Sequence, residues 1–172
     1  TTNNRNIIAL ADLGETENLS NPIWTVNNEY RVPANRANTL YEMLVNNYSG
    51  ARDISQATGI LDQISGFEGS IDYEKLQSAR LLSSNEYSVN QALGYVSLNS
   101  TLQTDDVLAI AYEYTYGGTT YQVGEFAADL SSNSDALFVK LRKGTTGSPR
   151  SPSWKLMMKN IYNLGASSMS SE

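Results

Sequence analysis

Hydrophobic and polar positions alternate most regularly between Val107 and Phe126. Tyr112, Tyr114 and Tyr116 share one parity, with Glu113 and Thr115 on the other. Gly117-Gly118 follows, and then Thr119-Thr120-Tyr121-Gln122-Val123. Two glycines supply the positive φ of a two-residue hairpin turn. That turn sets a register: Tyr116 across from Thr119, Tyr114 from Tyr121, Tyr112 from Val123. Leu108 and Ile110 are expected on that same apolar face. Thr115 opposite Thr120 and Glu113 opposite Gln122 form the polar face, and a slip of one residue would mix the two.

The remaining pattern predicts further elements. Residues 6–13 form an apolar run closed by Gly14, read as a buried strand. Ile23-Trp24-Thr25-Val26 reads as a short strand, and Tyr30-Arg31-Val32 precedes Pro33, which disfavours helix. Thr39 with Glu42 three residues on is a capping-box pattern. Leu40, Leu44 and Tyr48 then recur at helical spacing until Gly50. Ile54, Ala57, Leu61 and Ile64 predict a second helix over about 51–65, weakened by Thr58-Gly59. Residues 73–82 read as a strand. Residues 86–89 and 94–98 read as a hairpin pair, and 127–135 as a polar loop. Leu137, Val139 and Leu141 alternate with Phe138, Lys140 and Arg142 as an amphipathic strand with the first set inward. Two Gly and two Pro keep 144–153 irregular. Trp154, Leu156, Met158, Tyr162 and Leu164 fall at even spacing and predict a last strand.

The fold class expected is α+β, predominantly antiparallel β: a sandwich or jelly-roll-like domain with a small helical insert near 36–65. Residues 1–166 are expected to form one soluble domain of a larger chain, monomeric in isolation, and 167–172 a flexible tail. The 172 residues suffice for one real core. Only 17% are charged, and Tyr, at 11 against 3 Phe, suits half-exposed sheet faces.

Candidate chemistry is sparse. The chain has no cysteine and no histidine, which removes thiol nucleophiles, thiolate metal sites, the commonest general base and the usual serine-protease triad. No phosphate loop, dinucleotide fingerprint or zinc spacing occurs. Asp105-Asp106 is a candidate oxygen-rich calcium corner, read more simply as a solvated turn. Glu113 and Glu125 are a candidate carboxylate pair, but their offset puts them on opposite faces. The tyrosines and Trp154 could stack on sugar rings or simply pack. These observations predict no catalytic residues, no cofactor, no metal and no nucleic-acid partner. The chain begins at Thr1 without a signal-peptide pattern, so the expectation is a mature secreted protein or a piece of a longer one. No apolar run approaches a membrane helix.

Charge changes the picture at one end. Net charge is −6. Residues 136–172 hold six basic residues against Glu172 alone, a net of +5; residues 1–135 hold the other 6 basic and 17 acidic residues, a net of −11. Lys140, Arg142, Lys155 and Lys159 are therefore the candidate interaction surface, expected as an outward basic strip on the last two strands.

An ordered set of short motifs carries a resemblance. Ala51-Arg52-Asp53-Ile54, Asp72-Tyr73-Glu74-Lys75-Leu76, Ala79-Arg80-Leu81-Leu82 and Leu93-Gly94-Tyr95-Val96-Ser97-Leu98 come first. Ala111-Tyr112-Glu113-Tyr114-Thr115, Tyr121-Gln122-Val123-Gly124-Glu125-Phe126, Leu137-Phe138-Val139-Lys140-Leu141 and Trp154-Lys155-Leu156-Met157-Met158-Lys159-Asn160-Ile161-Tyr162 follow. Together they resemble the Sov/SprA family. These are very large outer-membrane proteins of the Bacteroidetes, which form the translocation channel of the type 9 secretion system and are linked to gliding motility. The resemblance implies a non-enzymatic domain inserted between barrel strands and lying outside the lipid, on the cell-surface side. It would shape or cap the pore. Its implied partners are the rest of the parent β-barrel protein, secreted cargo proteins and accessory secretion components. The alternative is a carbohydrate-binding or adhesive cell-surface β-sandwich module.

Overall fold

The computed structural model describes residues 4–148, 154–157 and 160–161. The fold is α+β, mostly antiparallel β with a small helical part. In chain order the elements are β1 (Asn4–Leu10), α1 (Thr39–Asn47), α2 (Ala57–Leu61), β2 (Tyr73–Arg80), β3 (Tyr87–Asn90), β4 (Tyr95–Leu98), β5 (Leu108–Ile110), β6 (Tyr112–Tyr116), β7 (Thr119–Val123), β8 (Leu137–Lys143) and a single helical turn, α3 (Trp154–Met157). One four-stranded sheet has the order β2-β1-β8-β5; β3-β4 and β6-β7 are separate hairpins.

β1 and β8 pair in parallel at the centre of the sheet, Ile8 beside Phe138 and Leu10 beside Lys140. The chain between them carries almost every other element, the long connection that parallel strands require. Both faces of this pair are covered. Ile8, Leu10 and Phe138 pack with Leu40, Leu44, Ala51, Ile54, Ala57 and Leu61 of the helical insert. Ala9, Leu137, Val139 and Leu141 form a second, smaller cluster with Val107, Ala109 and Leu130. A strand buried on both sides corrects the amphipathic reading of 137–142: Phe138 and Lys140 are as buried as Leu137, Val139 and Leu141.

The helical insert forms with shifted boundaries. The N-cap of α1 is Asn38, whose Oδ1 accepts the Leu40 N–H at 3.0 Å while its Nδ2 donates to the carbonyls of Asp12 and Glu15. Thr39 instead accepts from the Thr25 N–H, and Glu42 pairs with Arg36. The helix expected over 51–65 is split into a 3₁₀ turn, Ser49–Arg52, and α2. Asp53 makes the break, accepting from the backbone and side chain of Ser55 and from Gln56 in place of a continuing helical ladder. The apolar periodicity was a true signal of burial even so: Ala51, Ile54, Ala57, Leu61 and Ile64 all face the core.

Three other expectations change. Residues 23–26 make only an isolated bridge between Val26 and Asn38, with Trp24 buried edge-on against Phe67 at 5.3 Å. Leu108 and Ile110 leave the tyrosine hairpin and close the main sheet as β5. Trp154–Met157 is helical where a strand was expected. β8 already has β1 on one edge and β5 on the other, so a strand from this segment has no free ladder on β8 to join. Met158, Lys159, Tyr162, Leu164 and the 167–172 tail lie outside the described residues.

Candidate functional site

The four predicted basic residues do not form one strip. Lys140 is 4% exposed; its Nζ meets Glu15 at 2.7 Å and donates to the Ala11 carbonyl. It ties β8 to the end of β1. Arg142 is half-buried and exchanges two hydrogen bonds with Asn160, each 3.1 Å. Lys155 is exposed on α3, and Lys159 lies outside the described residues. Lys143 donates to the carbonyls of Thr104 and Asp106, clamping the turn that holds Asp105-Asp106. Asp106 itself accepts the Gln103 N–H. Among the described residues no group of three acidic, His or Cys side chains could hold a metal ion.

The strongest electrostatic feature lies elsewhere. Glu125, two residues past the end of β7, is buried and grips Arg52 through both carboxylate oxygens at 2.6 and 2.8 Å. Tyr41 donates to Oε1 at 2.8 Å and the Phe138 N–H to Oε2 at 2.8 Å. The Arg52 guanidinium sits 4.3 Å from the centre of the Phe138 ring and also donates to the Ala136 carbonyl. Burial, and next the Glu125 charge, push the Tyr41 hydroxyl pKa up. Burial opposes the Arg52 charge, but the Glu125 hydrogen bonds and field outweigh it, so its pKa rises. Both oxygens of Glu125 are occupied, so it has no free lone pair aimed at a substrate. The cluster joins α1, the 3₁₀ turn, the hairpin root and β8. Glu113 is exposed across from Gln122, far from this role. Sequence reasoning weighed Glu125 only as a partner of Glu113 and missed Arg52 and Tyr41; isolated polar residues at irregular spacing carry no periodic signal.

Buried acids elsewhere are also consumed by structure. Asp12 accepts the N–H groups of Ser20 and Asn21, and Glu74 accepts from Thr145 twice. Asp72 accepts the Glu68 N–H, and burial is the main cause of its raised pKa.

The surface features are two hairpins and a cleft. In β6-β7 the predicted register holds at all five pairs, with Gly117 at φ 59° and Gly118 at φ 81°. Tyr114 stacks on Tyr121 at 5.6 Å and donates to the Pro33 carbonyl at 2.6 Å. Val123 is buried against the core. In β3-β4 the pairs Tyr87–Leu98 and Val89–Val96 share one face, and Ser88–Ser97 and Asn90–Tyr95 the other. Val89 is 55% and Val96 41% exposed while Tyr87 and Leu98 are half-buried, so the apolar face is uncovered at its outer pair. Leu81 before the hairpin and Leu93 at its tip are also exposed. A shallow cleft of about 280 Å³ runs between the 30–36 segment and β7, lined by Tyr30, Asn35, Arg36, Tyr41, Thr120 and Tyr121 among others. No family model, curated protein or solved structure matches the chain.

Proposed function

We propose that this chain is a non-enzymatic structural domain of an outer-membrane protein-translocation channel of the type 9 secretion system. It shapes or caps the pore, and it contacts the rest of the parent protein, cargo or accessory components. The resemblance of the ordered motifs to the Sov/SprA family supports the reading. The uncovered apolar face of β3-β4 carries it, because a hairpin of this size is marginal in water unless something packs on it. In this reading the body of the domain holds the hairpin out, and a neighbouring part of the assembly covers Val89 and Val96. The buried acids of the described clusters are spent on structural hydrogen bonds, as in a scaffold.

The test is a photo-crosslinking amino acid placed at Val96 in the parent protein in intact cells. An adduct within the parent protein or to a secretion component is expected. Crosslinks to solvent-borne glycan only, or none, would sink the reading.

A further inference from the structure

The tyrosine hairpin has an open edge beside the cleft. The Asn35 N–H donates to the Gln122 carbonyl at 2.8 Å, so the backbone groups of Gln122 point away from β6. Residues two apart on a strand direct their backbone groups to the same edge. The N–H and C=O of Thr120 therefore also point outward, and among the described residues no backbone hydrogen bond from outside the hairpin reaches them. Asn35 has in effect begun a ladder on β7 that the described residues do not continue.

The site around that edge is fixed in place. Tyr114 holds Pro33, and the Asn35 side chain accepts the Gly124 N–H at 2.7 Å. The 33–35 segment is thus clamped to the hairpin at both ends and forms the cleft wall. Thr120 is exposed on the floor. Arg36 lines the cleft with a side chain 68% exposed; its Nε holds Glu42 at 3.3 Å, and among the described residues no hydrogen bond engages its two terminal nitrogens. A free strand edge gives backbone affinity, and a neighbouring cation gives charge preference.

We propose that the outer edge of β7 at Thr120 captures an extended peptide carrying an acidic side chain, which continues the ladder begun by Asn35 and places its carboxylate at Arg36. Rigid walls lower the ordering cost of such strand addition, since only the peptide has to be fixed. The inference does not depend on the translocon reading; any chain with this edge would show it.

The experiment follows the amide resonances of the 172-residue chain during titration with a short Thr/Val peptide containing one central Glu. Thr120 and Gln122 amides are expected to shift together, and the Thr120 amide to become protected from exchange. Thr120→Pro removes the edge donor without touching the β6 ladder, and weakens binding about tenfold. Arg36→Glu weakens binding severalfold and removes its salt dependence. Because a proline variant can disturb the hairpin, a peptide N-methylated at alternate residues is titrated against the unaltered protein and should not bind. Equal binding of the N-methylated peptide, or shifts confined to β3-β4, overturns the proposal. So does binding of a soluble oligosaccharide at the same amides with no response to the peptide.

Discussion

The two hairpins of this domain are built from similar short strands and differ in what lies beneath them. β6-β7 stacks its tyrosines, ties Tyr114 to Pro33 and buries Val123 in the main core. Glu125 then locks its root to Arg52, Tyr41 and β8. Among the described residues β3-β4 is tied to the body at its base, where Arg80 pairs with Glu86 at 2.8 Å. Its outer apolar pair, Val89–Val96, is exposed. Local strand propensity is similar in both, so the difference shows that pairing alone does not finish a hairpin: one apolar face needs cover. For β6-β7 the chain supplies that cover, and for the outer end of β3-β4 the described residues do not.

Breaking the locked hairpin should have the largest effect. Glu125→Ala leaves Arg52, whose side chain is 14% exposed, without its partner. A loss of about 3–5 kcal/mol in urea unfolding is expected. A loss well under 1 kcal/mol would mean the root of β7 is not held by this pair.

Val123→Ala opens a cavity beside Gly14, whose position leaves no space for a Cβ: one would lie 2.7 Å from Val123 Cγ1. Roughly 2 kcal/mol should be lost in thermal unfolding. Gly117→Val strains the turn at positive φ and should cost about 1 kcal/mol or more. A neutral result in either case would show that β6-β7 is not held in the register seen here.

The contrast sharpens on the other hairpin. Val89→Ser combined with Val96→Ser should change the stability of the isolated chain by no more than about 0.5 kcal/mol, because neither side chain is buried there. On the proposed translocon role, the same pair should also reduce copurification of the parent protein with secretion components. The smallest effect is at the base. Hydrogen bonds from Ser83, and then from Arg80, lower the Glu86 pKa from 4.5 to about 2. A depressed carboxylate stabilises the fold fully above its unfolded value and loses that contribution as pH falls through its folded value. The β3 tether should therefore hold at pH 5 and loosen between about 4.5 and 2. A carboxyl-carbon titration of Glu86 with an ordinary midpoint would remove it from the account.

Much of this was legible along the chain, and the failures have a common cause. The Gly117-Gly118 turn, the pairing across it and the β3-β4 hairpin follow from local pattern, because their partners are near in sequence. The buried faces of α1 and α2 were legible from spacing, although Asn38 and Asp53 moved the boundaries through side-chain hydrogen bonds. The parallel pairing of β1 with β8 was not legible, since it joins residues about 130 apart and leaves no local mark. That pairing turned Lys140 from an expected surface residue into a buried partner of Glu15. The Arg52–Glu125 cluster was hidden for the same reason: its members come from four separate elements.

Amide hydrogen exchange on the isolated chain, and on the membrane-assembled parent protein that the proposed function requires, compares the two hairpins directly. In the isolated chain, β6-β7 amides that bond across the hairpin should be strongly protected and those of β3-β4 should exchange rapidly. In the assembly, the β3-β4 amides should become protected while those of β6-β7 change little. Strong protection of β3-β4 in the isolated chain, or none in the assembly, would contradict the claim that its apolar face is built to be covered by a partner.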